Sequence, residues 1–144
     1  PEGKNLWMLA SGTALGVFLS ILKTSTPWDR FEKIILIHGV RYSEELIYQD
    51  LISEIKNEYL NQFEYLSSVT RDSTEKSFNM RIPKGLQSRA FQNHTQIEIN
   101  SDSQFMICGN PEMIKETSEV LKGFGLNKNR RAKPGNITVE RYWV

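Results

Sequence analysis

Two apolar runs, each closed by a turn and followed by a helical pattern, constrain this chain more than any other feature. Residues 6–10 (LWMLA) carry no polar side chain and end at Ser11-Gly12-Thr13, and residues 34–40 (IILIHGV) repeat the pattern with His38 as the one exception. A strand with one face in water alternates polar and apolar residues. Continuous apolar runs of this length belong to strands covered on both faces, as in parallel sheets.

The segments between and after these runs supply the covering helices. A helix is expected over residues 14–23, with Thr13 as its N-cap. Pro27-Trp28-Asp29 marks a loop with room for one helical turn. Ser43 is expected to cap a helix reaching about Tyr59, with Glu44 and Glu45 favourably placed in its first turn. Tyr48, Ile52, Ile55 and Tyr59 recur on it at helical spacing. Residues 63–69 read as a third strand, 71–80 as a polar loop, and 83–91 as a short helix. In the weakly patterned stretch 92–103, Ile97 and Ile99 suit a brief strand. Residues 104–108 read as a fourth strand. Asn110-Pro111 then opens a helix with a cap and a proline at its first position, striped by Ile114, Thr117, Leu121 and Phe124 and ended by Gly123 or Gly125. A Pro134-Gly135 turn precedes a closing strand at 137–143. The alternation predicts an α/β fold: one domain over residues 1–144, an open, mostly parallel sheet of about five strands with helices on both faces.

Composition narrows the classes of function. At 144 residues the chain is long enough for one real core. Apolar residues make up 39% and charged residues 24%, and the net charge of +1 favours neither nucleic acid nor an anionic membrane. One cysteine excludes an intramolecular disulfide, and no Cys/His cluster has metal-ligand spacing; a reducing, cytoplasmic setting is expected. The 18 uncharged residues from Asn5 to Leu22 are interrupted by Ser11, Gly12, Thr13 and Gly16, so a buried strand, turn and helix are expected there in place of a membrane span. The start at Pro1-Glu2-Gly3-Lys4, with a core strand almost at once, suggests a cut through an interdomain linker.

In an open parallel sheet, ligands bind beyond the carboxyl ends of the strands where the strand order reverses. That directs attention to four loops, at residues 11–13, 40–42, 70–81 and 108–110. Gly12 and Thr13 precede a helix and suit an anion such as a pyrophosphate; a small-residue turn for close packing fits the same residues. The second strand ends His38-Gly39-Val40-Arg41 without the acid that usually holds a ribose 2′-hydroxyl. Arg41, Arg71 and Arg81 at one edge suit a 2′-phosphate, because a guanidinium offers paired donors and keeps its charge. Their spacing also fits three solvated surface arginines. Cys108 is either a small buried apolar residue or a thiol beside a bound ring. Tyr142 and Trp143 either pack on their own domain or stack on a flavin. The basic run 127–133, with Lys128, Arg130, Arg131 and Lys133, is either a solvated loop or a docking patch for an acidic partner. His38 reads as structural and His94 as exposed.

As a set, LWMLASGTALGVFLSIL, IHGVRY, the TRD…RIP pair, CGNPEM and ITVERYW resemble the C-terminal half of bacterial ferredoxin/flavodoxin–NADP⁺ reductases, in family order over nearly the whole chain. The resemblance implies an oxidoreductase using NADP(H) and FAD, with an FAD-binding β-barrel upstream, ferredoxin or flavodoxin as partner, and a monomeric state. It implies that Arg41, Arg71 and Arg81, flanked by Val40 and Thr70, hold the 2′-phosphate and adenosine end. Met106, Ile107, Cys108, Gly109 and Asn110 would line the nicotinamide side, with Cys108 nearest the hydride path. Gly12 and Thr13 would meet the cofactors at the domain interface, and Tyr142 and Trp143 would pack on FAD. Glu140 matches a carboxylate near the flavin in plant-type relatives. Val17, where the family has proline, Met80, where it has a small residue, and Val144, which makes Trp143 penultimate, depart from the pattern. The alternatives are an NADH-using relative of the oxygenase-reductase type and a non-catalytic nucleotide-binding module. The domain without its flavin partner is expected to show no dye-reducing activity.

Overall fold

A computed structural model describes residues 4–141. The sheet has five strands in the order β3-β2-β1-β4-β5, formed by β1 (Asn5–Ser11), β2 (Lys33–Val40), β3 (Phe63–Val69), β4 (Ser103–Gly109) and β5 (Ile137–Arg141). Every pairing is parallel. The order reverses between β1 and β4, which places the ligand-binding edge of such a sheet at Ser11 and Gly109.

Alternation along the buried strands builds two cores. Leu6, Met8 and Ala10 of β1 pack on one face with Ile34 and Leu36, under α1 (Leu15–Leu22), α2 (Thr26–Arg30) and α3 (Gln49–Glu58). Trp7 and Leu9 face the other way with Ile35, Ile37, Phe105 and Ile107, under α4 (Ile82–Gln87), α5 (Ala90–Thr95) and α6 (Pro111–Gly123). Both faces of the central strands are therefore apolar, which is why their sequence does not alternate. Trp28 anchors the first core: its ring stacks on Tyr59 at 3.6 Å between centroids, and its Nε1–H donates to the Leu22 carbonyl at 2.9 Å.

Several local expectations are corrected. Gly12–Ala14 is a separate 3₁₀ turn ahead of α1, and Thr13 lies inside it without making a capping bond. The helix expected from Ser43 is broken: Ser43–Glu45 form a 3₁₀ turn, and α3 begins only at Gln49. Tyr48 at the break has a left-handed φ of 62° and is 51% exposed, so it leaves the stripe that Ile52 and Ile55 keep. The single helix expected at 83–91 is two, interrupted by Arg89 at φ 67°. Ile97 and Ile99 pack against the second core without forming a strand. Gly123 ends α6, and Gly125 takes the positive φ beyond it. The Tyr142 and Trp143 positions of the expected last strand lie outside the described residues.

Candidate functional site

The four loops singled out by the sheet argument converge on one cleft of about 770 Å³ at the carboxyl edge. Its floor is a row of small residues across four strands. Ser68 of β3 is in register with Gly39 of β2, and Gly39 with Ser11 of β1; Gly109 of β4 completes the row beside Ser11. Contact there is tight, since a Cβ on Gly109 would lie 2.0 Å from Ser11 Oγ. The same hydroxyl accepts the Asn110 N–H at 3.1 Å and ties the ends of β1 and β4 together. Asn110 caps α6, its side-chain oxygen accepting from Met113 N at 2.8 Å. Gly12, at φ 57°, has nothing within 4 Å of its Cβ position. Backbone conformation therefore calls for glycine here, and the turn stays open to the cleft.

One wall carries the cations. The β2–β3 ladder runs on past the strands: Thr70 N–H donates to the Val40 carbonyl at 3.1 Å and Arg71 N–H to the Arg41 carbonyl at 2.7 Å. These bonds set Arg41 and Arg71 side by side on the rim. The loop then folds back through Phe78, which exchanges backbone bonds with Ser67 and Val69, and through Asn79, whose amide donates to the carbonyls of Val69 and Asp72. Ser68 Oγ donates to the Met80 carbonyl. That return brings Arg81 to the same cleft, paired with Glu116 of α6 at 2.7 Å. Among the described residues Arg41 and Arg71 have no carboxylate partner. A single carboxylate near the end of β2, Glu45, also lines the cleft, but its Oε1 is engaged by the Tyr42 N–H at 2.8 Å.

Of the residues expected at the site, Gly12, Thr13, Val40, Arg41, Thr70, Arg71, Arg81, Gly109 and Asn110 line this cleft. Met106, Ile107 and Cys108 lead up to it along β4 without lining it. Cys108 is 1% exposed and faces the first core with Ala10 and Ala14. It is in register with Glu140 of β5; burial first, and the Glu140 charge second, push its thiol pKa up. Glu140 itself is exposed. Tyr142 and Trp143 lie outside the described residues. Met80 lines the cleft, and Val17 packs against the first core. Ser11, Gly39 and Ser68 of the floor were not singled out individually from the sequence; the strand register brings them into one row.

His38 is buried, and its Nε2 lies 2.7 Å from the Gly12 carbonyl, bracing the turn from below. No group of three or more metal-binding side chains occurs among the described residues. No helix of the described residues is long and apolar enough to cross a membrane.

A parallel sheet with a glycine turn before a helix and a cleft at its reversal point defines a nucleotide-binding domain. The chain matches the oxidoreductase NAD-binding domain family over residues 8–119 and belongs to it. It is 39% identical over 145 residues to a flavodoxin/ferredoxin–NADP reductase of Buchnera aphidicola, covering 99% of this chain and 58% of that protein. It is 36% identical to the Escherichia coli protein of the same name, again over 99% of this chain and 58% of the relative. A crystal structure of a ferredoxin NADP⁺ reductase from Neisseria gonorrhoeae, with bound FAD and NADP, superposes at a TM-score of 0.90 with 34% identity, covering 98% of this chain and 57% of that one. The chain thus spans a little over half the length of these relatives.

Proposed function

We propose that this chain is the NADP(H)-binding part of a reductase that passes electrons between NADP(H) and ferredoxin or flavodoxin through FAD. The observation that carries the coenzyme choice is the rim of Arg41, Arg71 and Arg81 around one cleft, with the nearby Glu45 carboxylate already bonded to backbone. Paired guanidinium donors fit a 2′-phosphate dianion, whereas an NAD-preferring site needs a free carboxylate at the end of β2. The open Gly12 turn and the small-residue floor leave room for a pyrophosphate to approach the backbone. The cleft volume is that of a small-molecule site.

When bound, the flavin supplies the step between two-electron and one-electron transfer. The chain's own residues bind and orient. The arginines fix the adenosine end, and Gly109 and Asn110 shape the turn on the nicotinamide side. Cys108, packed behind that turn in the first core, is a compact, protonated packing group and not a nucleophile. Glu140, exposed on the neighbouring strand, is the proposed carboxylate near the flavin. Thr13, Tyr142 and Trp143 are the proposed contacts to FAD.

The electron-transfer partner is proposed to dock on the basic segment after α6. Lys128, Arg130 and Lys133 border a second hollow of about 230 Å³ with Lys122, and Arg131 is exposed beside it. Reciprocal backbone bonds between Arg130 and Lys133, of 3.0 and 3.1 Å, hold this run as a turn. None of these cations has a carboxylate partner among the described residues, so the patch suits an acidic protein surface. Reversing it to glutamate should slow reduction of ferredoxin or flavodoxin at low salt while leaving the NADPH-to-dye reaction of the full protein unchanged.

Titration with 2′-phospho-AMP and AMP tests the coenzyme assignment directly. Tighter binding of the phosphorylated nucleotide is expected, and equal binding would sink it.

A further inference from the structure

Asp72 follows Arg71, which lines the cleft proposed to hold a phosphate, and an acid so near works against such a ligand by simple Coulomb repulsion. Its carboxylate pairs with neither Arg41 nor Arg71. Both oxygens are taken by Ser43 on the opposite loop: the Ser43 N–H lies 3.0 Å from Oδ1 and 3.1 Å from Oδ2, and Ser43 Oγ–H donates to Oδ2 at 2.9 Å. The backbone of Asp72 is fixed in turn by Asn79, which donates to its carbonyl at 2.9 Å.

These bonds complete a ladder. Beyond β2 and β3 the two chains still pair at Val40–Thr70 and Arg41–Arg71. One residue further they diverge, and the ladder's next rung is the Asp72 side chain reaching Ser43. Arg41 and Arg71 therefore sit between backbone rungs on one side and a side-chain clamp on the other. Ser43 opens a 3₁₀ turn and Asp72 lies in a bend, so past the last backbone rung it is this side-chain clamp that ties the loop carrying Arg41 to the loop carrying Arg71.

We propose that Asp72 is a positioning and specificity-determining residue, which through Ser43 holds Arg41 and Arg71 at the spacing needed to grip one phosphate together. This rests on the 2′-phosphate reading above. Electrostatics alone predicts the opposite outcome. Removing a negative charge beside a phosphate should tighten binding, whereas losing the clamp should weaken it.

The test compares Asp72→Ala, Asp72→Asn and Ser43→Ala with the unchanged full-length protein, by titration with 2′-phospho-AMP and with AMP. Asp72→Ala should lower the affinity ratio of 2′-phospho-AMP to AMP about tenfold, with the AMP affinity and the thermal midpoint unchanged. Asp72→Asn keeps an acceptor for the Ser43 N–H and should stay within about threefold of the parent. Ser43→Ala, which loses only the hydroxyl bond, should fall between the two. A ratio that is unchanged or raised in Asp72→Ala overturns the proposal, as does an equal loss in Asp72→Asn. If the unchanged protein itself fails to prefer 2′-phospho-AMP, the underlying coenzyme reading falls instead, which keeps the two failures distinct.

Discussion

The Nε2 of His38 lies 2.7 Å from the carbonyl oxygen of Gly12, joining β2 to the turn that opens the cleft. A carbonyl only accepts, so Nε2 carries the ring proton. Nδ1 is buried without a partner. Burial lowers the His38 pKa below its ordinary 6.5, against smaller opposite pulls from the Gly12 bond and the Glu45 charge. In the folded chain the ring is held neutral, with a bare lone pair on Nδ1.

That depressed pKa ties stability to pH. The unfolded chain takes up the extra proton first, so the contribution of His38 is complete above about pH 6.5 and declines as the pH falls toward the folded value. One proton limits the slope to about 1.4 kcal/mol per pH unit. Urea unfolding followed from neutral to mildly acidic pH should show the decline, and His38→Gln should flatten it. A decline of the same size in the variant would assign it to other groups.

Arg71 provides the sharpest test of the coenzyme reading. Arg71→Ala should weaken NADPH binding by about 1.5–3 kcal/mol, the range for hydrogen bonds to a charged group, and leave NADH binding nearly unchanged. Losses of equal size for the two coenzymes would remove the 2′-phosphate assignment.

Gly109 should tolerate no side chain. At φ 153°, an added Cβ would meet Ser11 Oγ at 2.0 Å and Met113 Cε at 2.9 Å. Gly109→Ala should cost about 1–3 kcal/mol through overpacking and weaken nucleotide binding by parting the ends of β1 and β4. Adding Ser11→Gly should recover part of the stability, as measured by chemical unfolding. No recovery would mean that backbone strain or the Met113 contact, and not the contact with Ser11, sets the cost.

The Cys108 thiol should be unreactive in the native protein. Burial and the Glu140 charge keep it protonated, and only the thiolate reacts. Labelling with a chromogenic disulfide at mildly alkaline pH should be slow until denaturant is added. Glu140→Gln should lower the thiol pKa but leave the native reaction slow, because access still limits it. Fast labelling of the native chain would place the thiol at the surface and undo its reading as a packing group.

The parallel sheet was legible because residues 6–10 and 34–40 are apolar on both faces, a pattern set by burial alone. The four cleft loops followed from that sheet, since strand ends in such folds gather at one edge. The break at Tyr48 was not legible. Tyr48 fits the helical period of Ile52 and Ile55, and the left-handed turn that removes it leaves no mark in a periodicity. Arg89 splits the helices at 83–91 in the same silent way.

By itself, the sequence determined the alternation of strand and helix, the edge where the four loops gather, and the presence of three arginines near it. Periodicity and strand ends are local properties, and a residue's burial pattern records them directly. Only the tertiary structure decided how those residues are partnered. It showed that Glu45 is engaged by the backbone and that Glu116 pairs with Arg81. It turned Cys108 into the first core beside Glu140, and it set Asp72 on Ser43 to brace two of the arginines. Each of these joins positions far apart in the chain or selects one hydrogen-bond partner among several. Such choices are settled by packing across the whole fold, which no local pattern encodes.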